Sequence, residues 1–277
     1  MNPRPNLGVS PRFGLGRKMP TKLGQNFLTN EEVAQKIANS ANIKGDNVLE
    51  IGSGKGILTK YLAKSAGKVL AVEIDRNLIE LLKKKFSIKI VEGDILKINL
   101  PKLIEGENFQ NYKVVANLPY YITSKIIRLL LETKYPPAEM ILMVQKEVGE
   151  RIVALDGKES ILSISVKFYA EPEILFSVSR DNFEPVPEVD SVVIRIKRKI
   201  NLPEAPASKF FALVRAGFSA KRKMLVNNLA SSFHIPKSEI AEIIKKVGID
   251  PAIRAEKLKV EDWVKLYGAL KNQGSEK

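Results

Sequence analysis

From Asn47 onward, apolar runs of about five residues alternate with stretches in which apolar positions recur every three or four residues. Continuous aliphatic runs of that length read as strands buried on both faces, and the longer spacing reads as amphipathic helix. Strands are predicted at 47–51, 68–73, 88–91, 112–116, 139–144, 173–179 and 191–197. Helices are predicted at 57–64, 75–86, 123–134, 146–154 and 160–169. An earlier helix is capped at Thr29 or Asn30, with Glu31 and Glu32 in its first turn and Val33, Ile37 and Ala41 on one face. Strands alternating with helices predict an α/β fold: a doubly wound, mostly parallel sheet whose last pair contributes one antiparallel strand.

The alternation breaks at Ile200-Asn-Leu-Pro-Glu-Ala-Pro206. Beyond it only helical periodicity occurs, at 208–217, 222–232, 237–247 and 260–271. Three parts are therefore expected: a flexible basic arm over 1–21, a catalytic domain over 22–200 and a small all-helical domain over 201–277. The arm mixes Pro, Gly and Arg where a signal peptide needs an apolar core, and no apolar run nears the roughly 18 residues of a membrane span. These features point to a cytoplasmic protein without membrane partners.

Composition narrows the chemistry. Lys and Arg number 45 against 31 Asp and Glu, a net charge of +14. Unmatched positive charge favours a polyanion, with nucleic acid ahead of a membrane surface. The chain has no cysteine and one histidine, His234. Disulfides, thiolate metal sites and a cysteine nucleophile are excluded, and a histidine metal site or Ser-His triad has no material. Three basic clusters stand out: Lys83-Lys84-Lys85, the run holding Arg195, Lys197 and Arg198, and Lys221-Arg222-Lys223. The last two are the candidates for RNA phosphates.

In an open parallel sheet, ligands sit beyond the carboxyl ends of the strands. Successive strand ends carry Gly52, Glu73, Asp94 and Asn117, separated by 21, 21 and 23 residues. One βα unit spans about that length, so all four groups should line one rim. The loop Gly52-Ser53-Gly54-Lys55-Gly56 has Gly-x-Gly-x-Gly spacing, unlike the Gly-x-Gly-x-x-Gly of dinucleotide binders. With Glu50 ahead of it, the loop suits a ligand lacking phosphates, such as S-adenosylmethionine. Glu73 is placed to accept both ribose hydroxyls, and Asp94 either accepts the adenine amine or caps a helix. After the fourth strand comes Asn117-Leu118-Pro119-Tyr120, an amide, a rigid turn and an aromatic face.

These motifs together resemble the ribosomal small-subunit RNA adenine dimethyltransferases, the KsgA family, from about Lys22 to the C-terminus. The resemblance rests on Leu23-Gly-Gln-Asn-Phe-Leu28, Val48-Leu-Glu-Ile-Gly-Ser-Gly-Lys-Gly56, Val72-Glu-Ile-Asp75 and Glu92-Gly-Asp94. It continues through Asn117-Leu-Pro-Tyr-Tyr121, Val144-Gln-Lys-Glu147, Phe183-Glu-Pro-Val-Pro-Glu-Val-Asp-Ser191, Phe218-Ser-Ala-Lys-Arg-Lys223, Asn227-Asn-Leu229 and Arg254-Ala-Glu256. It implies a Rossmann-like class I S-adenosylmethionine-dependent methyltransferase sheet with a helical C-terminal domain, and no metal. It also implies cofactor contact at Asn26, Leu28, Gly52, Glu73, Asp94 and Asn117, with Gly54 in the same loop, and target-base contact at Asn117, Tyr120 and Phe183. The implied substrate is a pair of adjacent adenosines near the 3′ end of small-subunit (16S) rRNA, within a pre-ribosomal 30S particle; a monomer is expected.

On this reading Asn117 and the Leu118 carbonyl accept the two N–H bonds of the adenine amine, Pro119 stiffens the turn, and Tyr120 and Phe183 sandwich a flipped base. Phe183 has a second reading, as a loop anchor packed into the core. Asp190 and Ser191 are read as fixing the loop that carries it. Two other functions stand beside the first: a large-subunit rRNA adenine methyltransferase of the macrolide-resistance type, and a ribosome-assembly factor without chemistry.

Overall fold

The computed structural model describes residues 26–274. The expected arm over 1–21 and the segment Lys22–Gln25 lie outside the described residues. The chain opens with β1 (Phe27–Leu28) and α1 (Glu31–Ser40), and then alternates β2 (Asn47–Ile51), α2 (Ile57–Ser65), β3 (Lys68–Glu73), α3 (Arg76–Lys85) and β4 (Lys89–Glu92). It continues through α4 (Leu100–Gly106), β5 (Tyr112–Asn117), α5 (Thr123–Glu132), β6 (Glu139–Gln145), α6 (Lys146–Val153) and α7 (Ile161–Tyr169). Three strands follow, β7 (Ala170–Val178), β8 (Phe183–Glu184) and β9 (Ser191–Arg198). Helices α8 (Ala207–Gly217), α9 (Leu225–Phe233), α10 (Lys237–Lys246) and α11 (Val260–Gly274) complete the chain. Among the described residues no helix is long and apolar enough to cross a membrane.

Seven strands form one sheet in the order β4-β3-β2-β5-β6-β9-β7. All neighbours are parallel up to β6; β9 then runs antiparallel to both β6 and β7. The sheet is thus mostly parallel with one reversed strand, as the strand–helix alternation implies. Pro172 is tolerated in β7 because that strand lies at the sheet edge, where one side of its backbone has no ladder partner.

Side chains along each strand alternate between two cores, as a pleat requires. Val114, Ala116, Met140, Leu142, Val144, Val192 and Ile194 face α5 and α7. Val115, Ile141, Met143 and Val193 face α1 and α2. The first of these cores continues without a break into the helical part. Phe168 of α7 packs 4.5 Å from Phe210 and 5.1 Å from Phe211 of α8, measured between ring centroids. Trp263 of α11 is fully buried in the same cluster, so its packing role is structural. The boundary near 200 falls in an exposed connector, where Ile200 is 98% exposed.

Three elements were not signalled by periodicity. Helix α4 is short and begins with Leu100-Pro101, and its Asn99 cap accepts from the Lys102 N–H. Strands β1 and β8 are two residues each and pair antiparallel, Phe27 opposite Glu184 and Leu28 opposite Phe183. Runs that short carry no period to read.

The reversal of β9 decides where Arg195, Lys197 and Arg198 stand. Ser191 of β9 pairs with Gln145 at the carboxyl end of β6, whereas Lys197 pairs with Glu139 at its start. The basic end of β9 therefore stands at the sheet edge opposite the rim where the four strand-end groups gather. Arg195 is also engaged there: its guanidinium hydrogen-bonds Glu173 at 2.8 Å and the Ser40 carbonyl at 3.0 Å, and its Nε lies 2.9 Å from Glu139 as an ion pair. Lys113 extends this network to Asp46 at 2.9 Å and Glu139 at 3.6 Å. Arg195→Ala should cost about 2 kcal/mol, below the value for a wholly buried pair because both side chains keep some solvent. Chemical denaturation should show that loss while RNA affinity stays at the wild-type value.

Candidate active site

Strand order reverses between β2 and β5, and a pocket opens over the carboxyl ends of the strands at that point. Gly52, Glu73, Asp94 and Asn117 all line it, together with Asn26, Leu28, Gly54, Leu118, Pro119 and Tyr120. The even spacing of the strand ends thus brings Gly52, Glu73, Asp94 and Asn117 to one pocket, and the segment at β1 adds Asn26 and Leu28.

Glu73 organises the cofactor side. One carboxylate oxygen accepts the Gly54 N–H at 2.9 Å, and the other accepts Ile74 N–H at 2.8 Å and Asp75 N–H at 3.1 Å. Its carboxylate pins the glycine loop of β2 to the end of β3 and still has lone-pair capacity for ligand hydroxyls. Gly54 sits at φ +56°, and a Cβ there would come within 3.1 Å of the Phe27 ring. A side chain would be strained by the backbone and would push the β1 strap off the loop. Asp94 lines the pocket, and one of its oxygens accepts the Leu96 N–H at 3.0 Å; that bond closes a turn over 95–97, not a helix, because the next helix begins at Leu100 under an Asn99 cap.

Below the loop lies a polar group that spacing did not single out as functional. Glu50 is buried, and its Oε2 accepts the Ser53 hydroxyl at 2.8 Å and the Thr59 hydroxyl at 2.7 Å. Burial pushes its pKa from the ordinary 4.5 up to about 7, opposed by those two hydroxyl bonds and assisted by the charge of Glu73.

The turn after β5 forms the other wall. Leu118 is buried, and its N–H is held by the Met143 carbonyl at 3.1 Å, which locks the turn to β6. The Pro119 carbonyl accepts Ile122 N–H at 3.3 Å and the Thr123 hydroxyl at 3.1 Å, so the peptide closes into a short 3₁₀ turn over Tyr120–Ile122. Neither the Asn117 amide nor the Leu118 carbonyl has a hydrogen-bond partner among the described residues. Two acceptors with unused capacity therefore stand together at the pocket wall. The Tyr120 hydroxyl lies 2.8 Å from Ser191 Oγ, fixing the half-buried ring, and burial raises the phenol pKa. Ser191 thus holds Tyr120 itself, while Asp190 fixes the loop by accepting the Arg180 N–H at 3.0 Å. Tyr121, 65% exposed, and Ile74 add an apolar margin to the mouth.

Comparison with known proteins decides the family. The model of the ribosomal RNA adenine dimethylase family matches residues 16–272. The chain belongs to that family. The ribosomal RNA small subunit methyltransferase A of Dehalococcoides mccartyi is 44% identical over 255 residues, covering 88% of this chain and 86% of the relative. Among solved structures, a dimethyladenosine transferase from Plasmodium falciparum superposes with a TM-score of 0.75 at 29% identity, covering 90% of this chain and 98% of that one. The 23S rRNA methyltransferase ErmE superposes with a TM-score of 0.72 at 27% identity, covering 89% and 100%.

For a ribosomal RNA adenine dimethylase, one expected residue is displaced. Phe183 is 2% exposed and does not line the pocket; it packs with Leu28, Val178 and Val193 in the core beneath α1 and α2. Pairing of Leu28 with Phe183 in the β1–β8 ribbon draws the ring inward, so the core-anchor reading replaces the sandwich. The Thr29 N–H bond to the Asn182 carbonyl at 2.8 Å and the Asn30 amide bond to Asn182 Oδ1 at 2.8 Å secure the same junction. In the helical part, Lys221, Arg222 and Lys223 are exposed on the turn between α8 and α9. Buried Asn228 braces that turn by donating to the Gly217 carbonyl at 2.6 Å and the Ala220 carbonyl at 3.1 Å. No group of side chains among the described residues could hold a metal ion.

Two measurements follow from this geometry. Phe183→Ala should remove about 3–5 kcal/mol of stability, as loss of a buried phenyl ring does, and would be read as a lower urea midpoint. For Glu50, the folded state binds more protons than the unfolded one between pH 4.5 and about 7. Stability should therefore fall as pH rises through that window and level off above it, by on the order of 3 kcal/mol in total. Melts at pH 5 to 8 should show this slope in the wild type, and Glu50→Gln should flatten it.

Proposed function

We propose that this chain dimethylates the exocyclic amines of two adjacent adenosines near the 3′ end of small-subunit rRNA, using S-adenosylmethionine and acting on a 30S assembly particle. The observation that carries the chemistry is the pair of acceptors, Asn117 Oδ1 and the Leu118 carbonyl, without partners among the described residues and beside the Glu73–Asp94 wall. The donor set fits S-adenosylmethionine: an acid for the ribose, an acid for the adenine amine, and a glycine loop whose missing Cβ atoms leave room for close approach. When bound, that cofactor supplies an electrophilic methyl group.

The protein's task is the nucleophile, because the adenine amine has its lone pair delocalised into the ring. Asn117 and Leu118 each accept one N–H of that amine, which favours the pyramidal nitrogen with a free lone pair. Both acceptors are held before reaction, Asn117 at the end of a central strand and Leu118 by Met143, so little reorganisation opposes the step. The Tyr120 ring, steadied by Ser191, offers one stacking face to a base taken out of its helix. No titrating base is needed, in keeping with a wall that carries no histidine. Lys221, Arg222 and Lys223 supply phosphate contacts away from the reacting base.

Small-subunit rRNA is preferred over large-subunit rRNA because similarity is 44% to the small-subunit methyltransferase and 27% to ErmE. Glu73, Asp94 and Asn117, gathered at one pocket, favour an enzyme over an assembly factor without chemistry. Asn117→Ala should lower methyl transfer to unmethylated small subunits by at least about a thousandfold, while cofactor affinity changes little. Labelled S-adenosylmethionine and mapping of the modified bases check both. Near-wild-type turnover, or label on cytosine or protein, would overturn the proposal.

A further inference from the structure

The pocket wall carries three acids, Glu50, Glu73 and Asp94, but among the described residues a single cation, Lys55. Lys55 is the fourth residue of the glycine loop, and no motif argument assigned it a task. Its backbone is tightly fixed. On one side, Gly54 is bound to Glu73 at 2.9 Å; on the other, the Gly56 N–H is bound to the Ser53 carbonyl at 3.0 Å. Its side chain is exposed, makes no ion pair with any described residue, and sets its ammonium 5.0 Å above the ring of Phe27, itself part of the pocket wall. A cation held over an aromatic face keeps its charge while losing some of its freedom to swing into solvent.

Strand order says which end of the cofactor meets it. On the reading that the ligand is S-adenosylmethionine, its adenine lies toward Asp94 beyond β4, its ribose toward Glu73 at β3, and its methyl toward Asn117 at β5. The amino-acid end then falls to the loop after β2, where Lys55 stands. That end carries an ammonium and a carboxylate. An acidic wall serves the ammonium and repels the carboxylate, so the carboxylate needs a positive partner. We propose that Lys55 pairs with the cofactor's carboxylate and is the residue by which this pocket recognises an intact methionine tail.

The test compares S-adenosylmethionine with its decarboxylated analogue, titrated calorimetrically into the full-length protein and its Lys55→Ala, Lys55→Gln and Lys55→Arg variants. Lys55→Ala and Lys55→Gln should bind S-adenosylmethionine about fivefold more weakly, the modest loss expected for a charge pair at an open pocket edge. Lys55→Arg should stay within about twofold of the wild type, and all four proteins should bind the decarboxylated analogue alike. Equal loss for both molecules would show that Lys55 acts on the loop and not on the carboxylate, and would overturn the proposal. So would unchanged affinity of Lys55→Ala for S-adenosylmethionine. Wild-type protein that bound neither molecule would instead bring down the cofactor reading, and this contact with it.

Discussion

A sheet covered on both faces leaves one place for polar chemistry, the ends of its strands. In this chain β2, β3, β5 and β6 consist mainly of buried apolar residues, so a carboxylate within them needs polar partners of its own, as Glu50 of β2 has in Ser53 and Thr59. Parallel pairing collects the carboxyl ends at one edge, and the reversal of strand order between β2 and β5 opens a crevice there. Glu73 shows how far the site depends on this constraint. It is nearly buried, and it is tolerated because three backbone N–H groups converge on it. Those bonds shape the glycine loop in turn, so ligand recognition and loop conformation share one carboxylate.

The short β1–β8 ribbon joins two parts of the pocket that lie far apart in the chain. Phe27 covers Gly54 on the cofactor side, and its neighbour Leu28 pairs with Phe183, which directly follows the turn Arg180–Asn182. Ser191 at the far end of the same loop steadies Tyr120. A cofactor seated against Phe27 and a base seated against Tyr120 would therefore meet one continuous piece of structure.

Charge is distributed with similar economy. Arg195 of β9 and Lys113 of β5 neutralise acids at the far edge of the sheet, where they hold Glu139, Glu173 and Asp46. Lys221, Arg222 and Lys223 make no such pairs with the described residues and stand on a turn braced by a buried amide. Positive charge in the first group serves the fold, and in the second it is presented to solvent.

The order of elements was determined by sequence alone, because apolar period is a local property that each strand and helix carries within itself. The common rim of Gly52, Glu73, Asp94 and Asn117 was legible for the same reason: repeating βα units of nearly constant length deliver strand ends to one edge. Local pattern could not say where a side chain points when a distant strand decides it. The inward turn of Phe183 depends on Leu28, 155 residues earlier. The far-edge position of Arg195 depends on the direction of β9, and the partner of Tyr120 is Ser191, 71 residues away. Those placements come from pairing and packing across the molecule, and only the folded chain contains them.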